Sequence, residues 1–221
     1  MKEKITAWVL GLIALTSAAS GQEDSFNLST FCGGSVKEVR DEIANWPVGT
    51  SLETHDKTCG MTPLMWASMS NPNPEVISLL LKMGAGLEAR VPQIAPLSLK
   101  EGWTPLMFAV ESNSVDVIKV LLQAGADLSA KDVQYESTPL SKALGPNSRH
   151  EVVSLLVSHG ADVNARGKGG WTPLLKAVAV VDLHTVKLLI DSGANVKANT
   201  EGGLSVLANA ASHGKDPKIV A

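Results

Sequence analysis

The run Thr104-Pro105-Leu106-Met107-Phe108-Ala109 returns as Thr62-Pro63-Leu64-Met65-Trp66-Ala67, Thr138-Pro139-Leu140-Ser141-Lys142-Ala143 and Thr172-Pro173-Leu174-Leu175-Lys176-Ala177, with a worn copy at Ser205-Val206-Leu207-Ala208-Asn209-Ala210. The copies start 42, 34, 34 and 33 residues apart. Thr before Pro marks a helix start: the hydroxyl accepts from an orphan amide, and Pro at the first helical position gives up a donor that has no partner there. Leu and Ala at the third and sixth places share one helical face, and the small Ala lets a neighbouring helix come close. A second phrase keeps step with the first: Leu80 to Ala85, Leu121 to Ala126, Leu155 to Ala161 and Leu188 to Ala194 each carry Leu-Leu followed by Gly-Ala. Gly there stops a helix by taking the left-handed conformation. Each unit therefore reads as helix, turn, helix and loop.

One such unit cannot bury its apolar face alone, so units must stack on their neighbours. Four copies of Thr-Pro-Leu in register with four Gly-Ala phrases resemble the ankyrin repeat family. The Gly-Trp-Thr-Pro-Leu and Asn-Pro-Glu-Val phrases look like those of bacterial members. The resemblance implies an all-α fold, an ankyrin-repeat solenoid with β-hairpin-like loops, covering about 24–221. An N-terminal cap is expected over 24–57, with helices at Phe26 to Cys32 and Val36 to Trp46. Repeats follow at about 58–99, 100–133, 134–167 and 168–200, then a partial repeat at 201–221. The His that the family places fourth in Thr-Pro-Leu-His is replaced by Met65, Met107, Ser141, Leu175 and Ala208, so its hydrogen bonds across the hairpin are expected to be lost. Asp216-Pro217 starts a second helix of only about one turn, too short to be stable alone. The last unit thus reads as half a repeat, to be completed by further chain or a partner, or left to fray.

Residues 1–21 read as an export signal: Lys2 and Lys4 lead an apolar run, and small polar residues from Thr16 to Gly21 follow, with cleavage expected near Ser20 to Gln22. The apolar stretch Ile5 to Ala19 is 15 residues, short of the ~20 a spanning helix needs. Signal removal is therefore expected to leave no stable membrane insertion, and the protein is expected to be periplasmic or secreted. Composition, 44% hydrophobic and 19% charged, is that of a folded protein, and the 4% aromatic content favours close-packed helices. Net charge is −3, or about −4 without the first 21 residues, which carry +1. Nucleic acid is therefore a poor partner. Cys32 and Cys59 could pair in an oxidising compartment, but the repeat register puts them at opposite ends of the helices, so free thiols are expected.

No two-His spacing along one helix, paired cysteines, phosphate loop or nucleophile elbow is present. Neither catalysis, nor a cofactor, nor a metal site is expected. The expected function is non-enzymatic binding of a protein partner, through hairpin tips and the concave first-helix face that ankyrin proteins use. A secreted effector acting on a host protein and an accessory factor for an exported enzyme are the alternatives. Met61, Trp103 and Trp171 precede Thr-Pro on the hairpins, and Trp is the residue most enriched at binding hot spots. The other use of such a ring is packing on its neighbouring loop. Met69 and Glu111 lie a turn further along first helices, toward the concave face. The 42-residue spacing implies about eight inserted residues around Val91 to Lys100. Its Val91, Ile94, Leu97 and Leu99 either meet a partner or fold back over Trp103.

Overall fold

The computed structural model describes residues 27–57, 59–93, 100–180 and 182–213. Among these the regular structure is helical, joined by a single antiparallel bridge between Asn199 and Ser205. The described part of the cap begins at Asn27, whose side chain caps α1 (Leu28–Gly33), and Ser35 with Glu38 forms a reciprocal capping box on α2 (Val36–Ala44). Helices α3 (Pro63–Ser70), α5 (Pro105–Ser112), α7 (Pro139–Ala143) and α9 (Pro173–Val180) all begin at a Thr-Pro. Each threonine hydroxyl accepts from the amide three residues on, at 3.3 to 3.4 Å. The second helices are α4 (Pro74–Lys82), α6 (Val115–Gln123), α8 (His150–Ser158) and α10 (Leu183–Asp191). Gly84 and Gly160, at φ +91° and +92°, close α4 and α8 where a Cβ would be strained. The worn copy opens α11 (Val206–His213), where Ser205 supplies the capping oxygen to Ala208. The half-repeat helix expected at Asp216 lies outside the described residues.

The chain divides into two compact units, 1–126 and 127–221. In the first, α3 packs between α1 and α5, and α4 packs on α2 and α6. Leu64, Met65, Trp66, Leu106, Met107 and Phe108 fill that stack and are almost wholly buried. Met65 and Met107 thus turn the slot of the missing His into core, and the Met65 thioether also accepts from the Thr62 amide at 3.4 Å. In the second unit α9 packs on α7, α10 and α11, and α8 packs on α7 and α10.

Two asparagines at the ends of α3 and α5 tie the first unit together. Buried Asn71 donates from Nδ2 to the Phe31 and Gly34 carbonyls, at 3.2 and 2.9 Å. Buried Asn113 donates from its own Nδ2 to the carbonyls of Ala67, Ser68 and Asn71, at 3.2, 2.8 and 2.9 Å. These acceptors lie at the ends of α1 and α3, where carbonyls run out of intrahelical donors; Ala67 alone of them keeps one, the Asn71 amide at 2.9 Å. Asn113→Ala should therefore cost about 1–3 kcal/mol by stranding buried acceptors, read as a lowered midpoint in urea unfolding. In the third repeat Gly145-Pro146 ends α7 after five residues, and Asn147, in the same sequence slot, is exposed.

Candidate protein-binding site

Two of the hairpins before Thr-Pro, those leading to Thr62 and Thr138, are built around carboxylates. Asp56, 3% exposed, accepts from the amides of Cys59 and Met61 at 2.6 and 2.7 Å and from the Trp66 indole at 3.0 Å. Asp132, 2% exposed, accepts from the amides of Tyr135 and Ser137 at 3.1 and 2.8 Å and pairs with the Lys142 ammonium. Trp66 and Lys142 each lie four residues after their Thr, so one slot supplies the third donor by two chemistries. This network fixes the hairpin without the family His.

Those hairpins hold the sequence-nominated residues in two different ways. Met61 and Trp103 are both 5% exposed and Val91 is 2% exposed. The Trp103 ring lies 5.2 Å from Phe108, with the Lys100 ammonium 4.2 Å from its own centroid. Val91 pairs by backbone with the Trp103 hairpin, donating to the Trp103 carbonyl at 3.2 Å and accepting from Gly102 at 2.8 Å. Trp103 and Val91 thus take the packing alternative, the insertion's first residue folding back to close the Trp103 hairpin, and Met61, nominated for binding, is buried in its own hairpin, its amide donating to Asp56 at 2.7 Å. Ile94, Leu97 and Leu99 lie outside the described residues. Met69 is half-buried, its carbonyl accepting from Ser112 at 2.9 Å, while exposed Glu111 pairs with Lys100.

Trp171 is different, at 41% exposure. Val133 and Tyr135, which the sequence reading did not single out, stand on the preceding hairpin at 45% and 56%. The two hairpins are fastened: the Lys168 amide donates to the Tyr135 carbonyl at 2.9 Å, and the Lys131 ammonium to the Arg166 carbonyl at 2.8 Å. Gly167 permits the approach, since a Cβ there would stand 2.9 Å from the Tyr135 carbonyl oxygen. Around the rings Lys131, Arg166 and Lys168 are exposed against two exposed carboxylates, Glu136 and Glu201, the latter on a residue whose amide donates to the Gly169 carbonyl at 2.9 Å, while Asp132 is buried and paired. In a chain of net charge −3 this is a locally positive, apolar tip.

Across the second-helix starts of the same unit, the rings of His150 and His184 lie 4.1 Å apart. Both stand twelve residues after their Thr, one repeat period apart; a search along single helices misses such pairs. Burial works to raise the nearby Asp182 carboxyl, but hydrogen bonds from Thr185 outweigh it and hold it below the usual carboxylate range. Cys32 and Cys59 are not joined in a disulfide, and burial pushes Cys32 up to about 11, far from a nucleophile's range. Among the described residues no group of three or more His, Cys, Asp or Glu is placed to hold a metal, and no helix is long and apolar enough to cross a membrane.

Stacked helix pairs, Thr-Pro starts and fastened hairpins define a helical repeat scaffold. The profile for ankyrin repeats (3 copies) matches residues 34–132 and 132–200, and the chain belongs to the ankyrin repeat family. It is 36% identical over 105 residues to ankyrin repeat and SOCS box protein 6 of Mus musculus, covering 48% of this chain and 23% of that one. It is 36% identical over 115 residues to putative ankyrin repeat protein FPV031 of fowlpox virus, covering 50% and 31%. The chain thus spans less than a third of the length of these relatives. Among solved structures it is similar to the ankyrin repeat domain of Bcl-3, with TM-score 0.64 and 29% identity over 78% of this chain and 71% of that one. Its repeats are a protein–protein interaction module.

Proposed function

We propose that this protein is a non-enzymatic, exported binding protein whose second unit grips an acidic, apolar segment of a protein partner at Val133, Tyr135 and Trp171. The observation that carries this reading is the pair of fastened hairpins presenting two exposed aromatic rings among Lys131, Arg166 and Lys168. Rigid aromatic rings bury large area at low entropic cost, and surrounding cations select carboxylates and speed encounter. Export rests on Lys2, Lys4 and the apolar run after them, and places the partner in the periplasm or outside the cell. Nothing basic enough for nucleic acid surrounds the patch in an acidic chain.

Affinity recovery from an envelope fraction, followed by direct binding to the recovered protein, tests this. Tyr135→Ala and Trp171→Ala are each expected to weaken binding by about 2 kcal/mol or more, and added salt to slow association. Met69→Ala and Glu111→Ala test the concave face in the same assay. Equal binding by wild type and the Tyr135→Ala/Trp171→Ala double variant would remove this surface from consideration.

A further inference from the structure

We propose that His150 and His184 form a two-imidazole site for a divalent transition-metal ion of the Zn2+ and Cu2+ class, which favours imidazole nitrogen. The two rings come from adjacent repeats and lie 4.1 Å apart at 40°. A built support orients the first of them. The His150 Nδ1 is 3.1 Å from the Thr185 hydroxyl oxygen, and that hydroxyl lies 3.1 Å from Asp182 Oδ2. A carboxylate only accepts, so the single hydroxyl proton of Thr185 goes to Asp182. Toward His150 the hydroxyl must then accept, which puts the ring proton on Nδ1 and leaves the lone pair on Nε2. Metal-ligating histidines are held this way, with the remote nitrogen donating into an oxygen chain that ends in a carboxylate. Thr185 is fully buried and its amide donates to Asp182 Oδ1 at 2.9 Å, so the support is rigid.

His184 supplies the second nitrogen. It is exposed, and among the described residues no hydrogen bond holds its ring nitrogens. Arg149 and the positive starts of α8 and α10 oppose a bound cation, while Glu151 and Asp182 favour it. With two protein ligands the remaining positions fall to water or to a partner's side chain.

Titration of the untagged full chain with Zn2+, followed by calorimetry and by histidine nitrogen NMR, tests the site. One saturable ion is expected, lost in His150→Ala and in His184→Ala and retained when His55, His159 and His213 are all replaced by Ala. Thr185→Val, which removes the accepting hydroxyl but not the bulk, should weaken uptake ten- to a hundredfold. The tautomer supplies a readout without metal: His150 should carry its proton on Nδ1 in the wild type. In Asp182→Asn an amide can donate to Thr185, whose hydroxyl then turns to donate, and the proton should move to Nε2. No saturable uptake by the wild type, uptake unchanged by His184→Ala, or a wild-type proton on Nε2 would each overturn the site. Folding of every variant is checked by its unfolding midpoint.

Discussion

Asp56→Ala is expected to destabilise the first unit by about 3 kcal/mol, since each buried donor left unsatisfied costs about 1–3 kcal/mol and water can reach part of the site at Cys59. The carboxylate takes three donors at once: the amides of Cys59 and Met61, and the Trp66 indole. Two of those donors belong to residues that are almost wholly buried. Trp66→Phe, which removes one donor and keeps most of the ring, should cost less. The Asp56→Ala/Trp66→Phe double variant should then lose less than the sum of the two, because they share a hydrogen bond. Urea unfolding of all three variants gives the coupling directly. Strict additivity would mean that the indole and carboxylate do not interact, and that Asp56 holds this hairpin through the Cys59 and Met61 amides alone.

Much of this architecture is legible in the sequence because its signals are local. Thr-Pro starts a helix through its own backbone chemistry, and Gly after Leu-Leu ends one, so the helix starts and the stacking class follow from sequence alone. What resists reading is which of two identical phrases is buried. Trp103 and Trp171 both stand in Gly-Trp-Thr-Pro-Leu, yet only the first is core. Five residues on, Trp103 meets the Phe108 ring, and the inserted loop brings Lys100 over its face. The corresponding residue for Trp171 is Lys176, whose ammonium turns away to the Ser141 carbonyl. Gly169 and Gly170 offer Trp171 no side chain to pack on. Exposure was decided by neighbours a phrase-level reading does not compare. The histidine pair escaped for a related reason: its spacing is the repeat period itself, visible only after the repeats are stacked. Asp56 and Asp132 are hard to read because their side-chain partners, Trp66 and Lys142, lie ten residues ahead, across a turn whose shape the carboxylates themselves set.

The second large effect is expected at Lys142→Met, about 3–5 kcal/mol, the usual cost of removing one member of a buried ion pair. The Asp132 side chain is fully buried and the Lys142 side chain 12% exposed, so the charge left behind has poor access to water. Burial also shields the pair from ions, and the loss should change little with added salt. Replacing both residues, as Asp132→Asn with Lys142→Met, removes the stranded charge while Asn can still accept an amide. The double variant should recover part of the loss. The outcome bears on function because Asp132 also takes the amides of Tyr135 and Ser137. That places the carboxylate under the hairpin that presents Val133 and Tyr135. Lys142→Met should therefore lower partner affinity together with the unfolding midpoint, whereas Tyr135→Ala should lower affinity and leave the midpoint within about 0.5 kcal/mol of wild type, as exposed substitutions do. If Lys142→Met unfolds the second unit more easily yet binds the partner as tightly as wild type, the hairpin's shape is held by the Lys168 amide on the Tyr135 carbonyl and the Lys131 ammonium on the Arg166 carbonyl, and the ion pair serves stability alone.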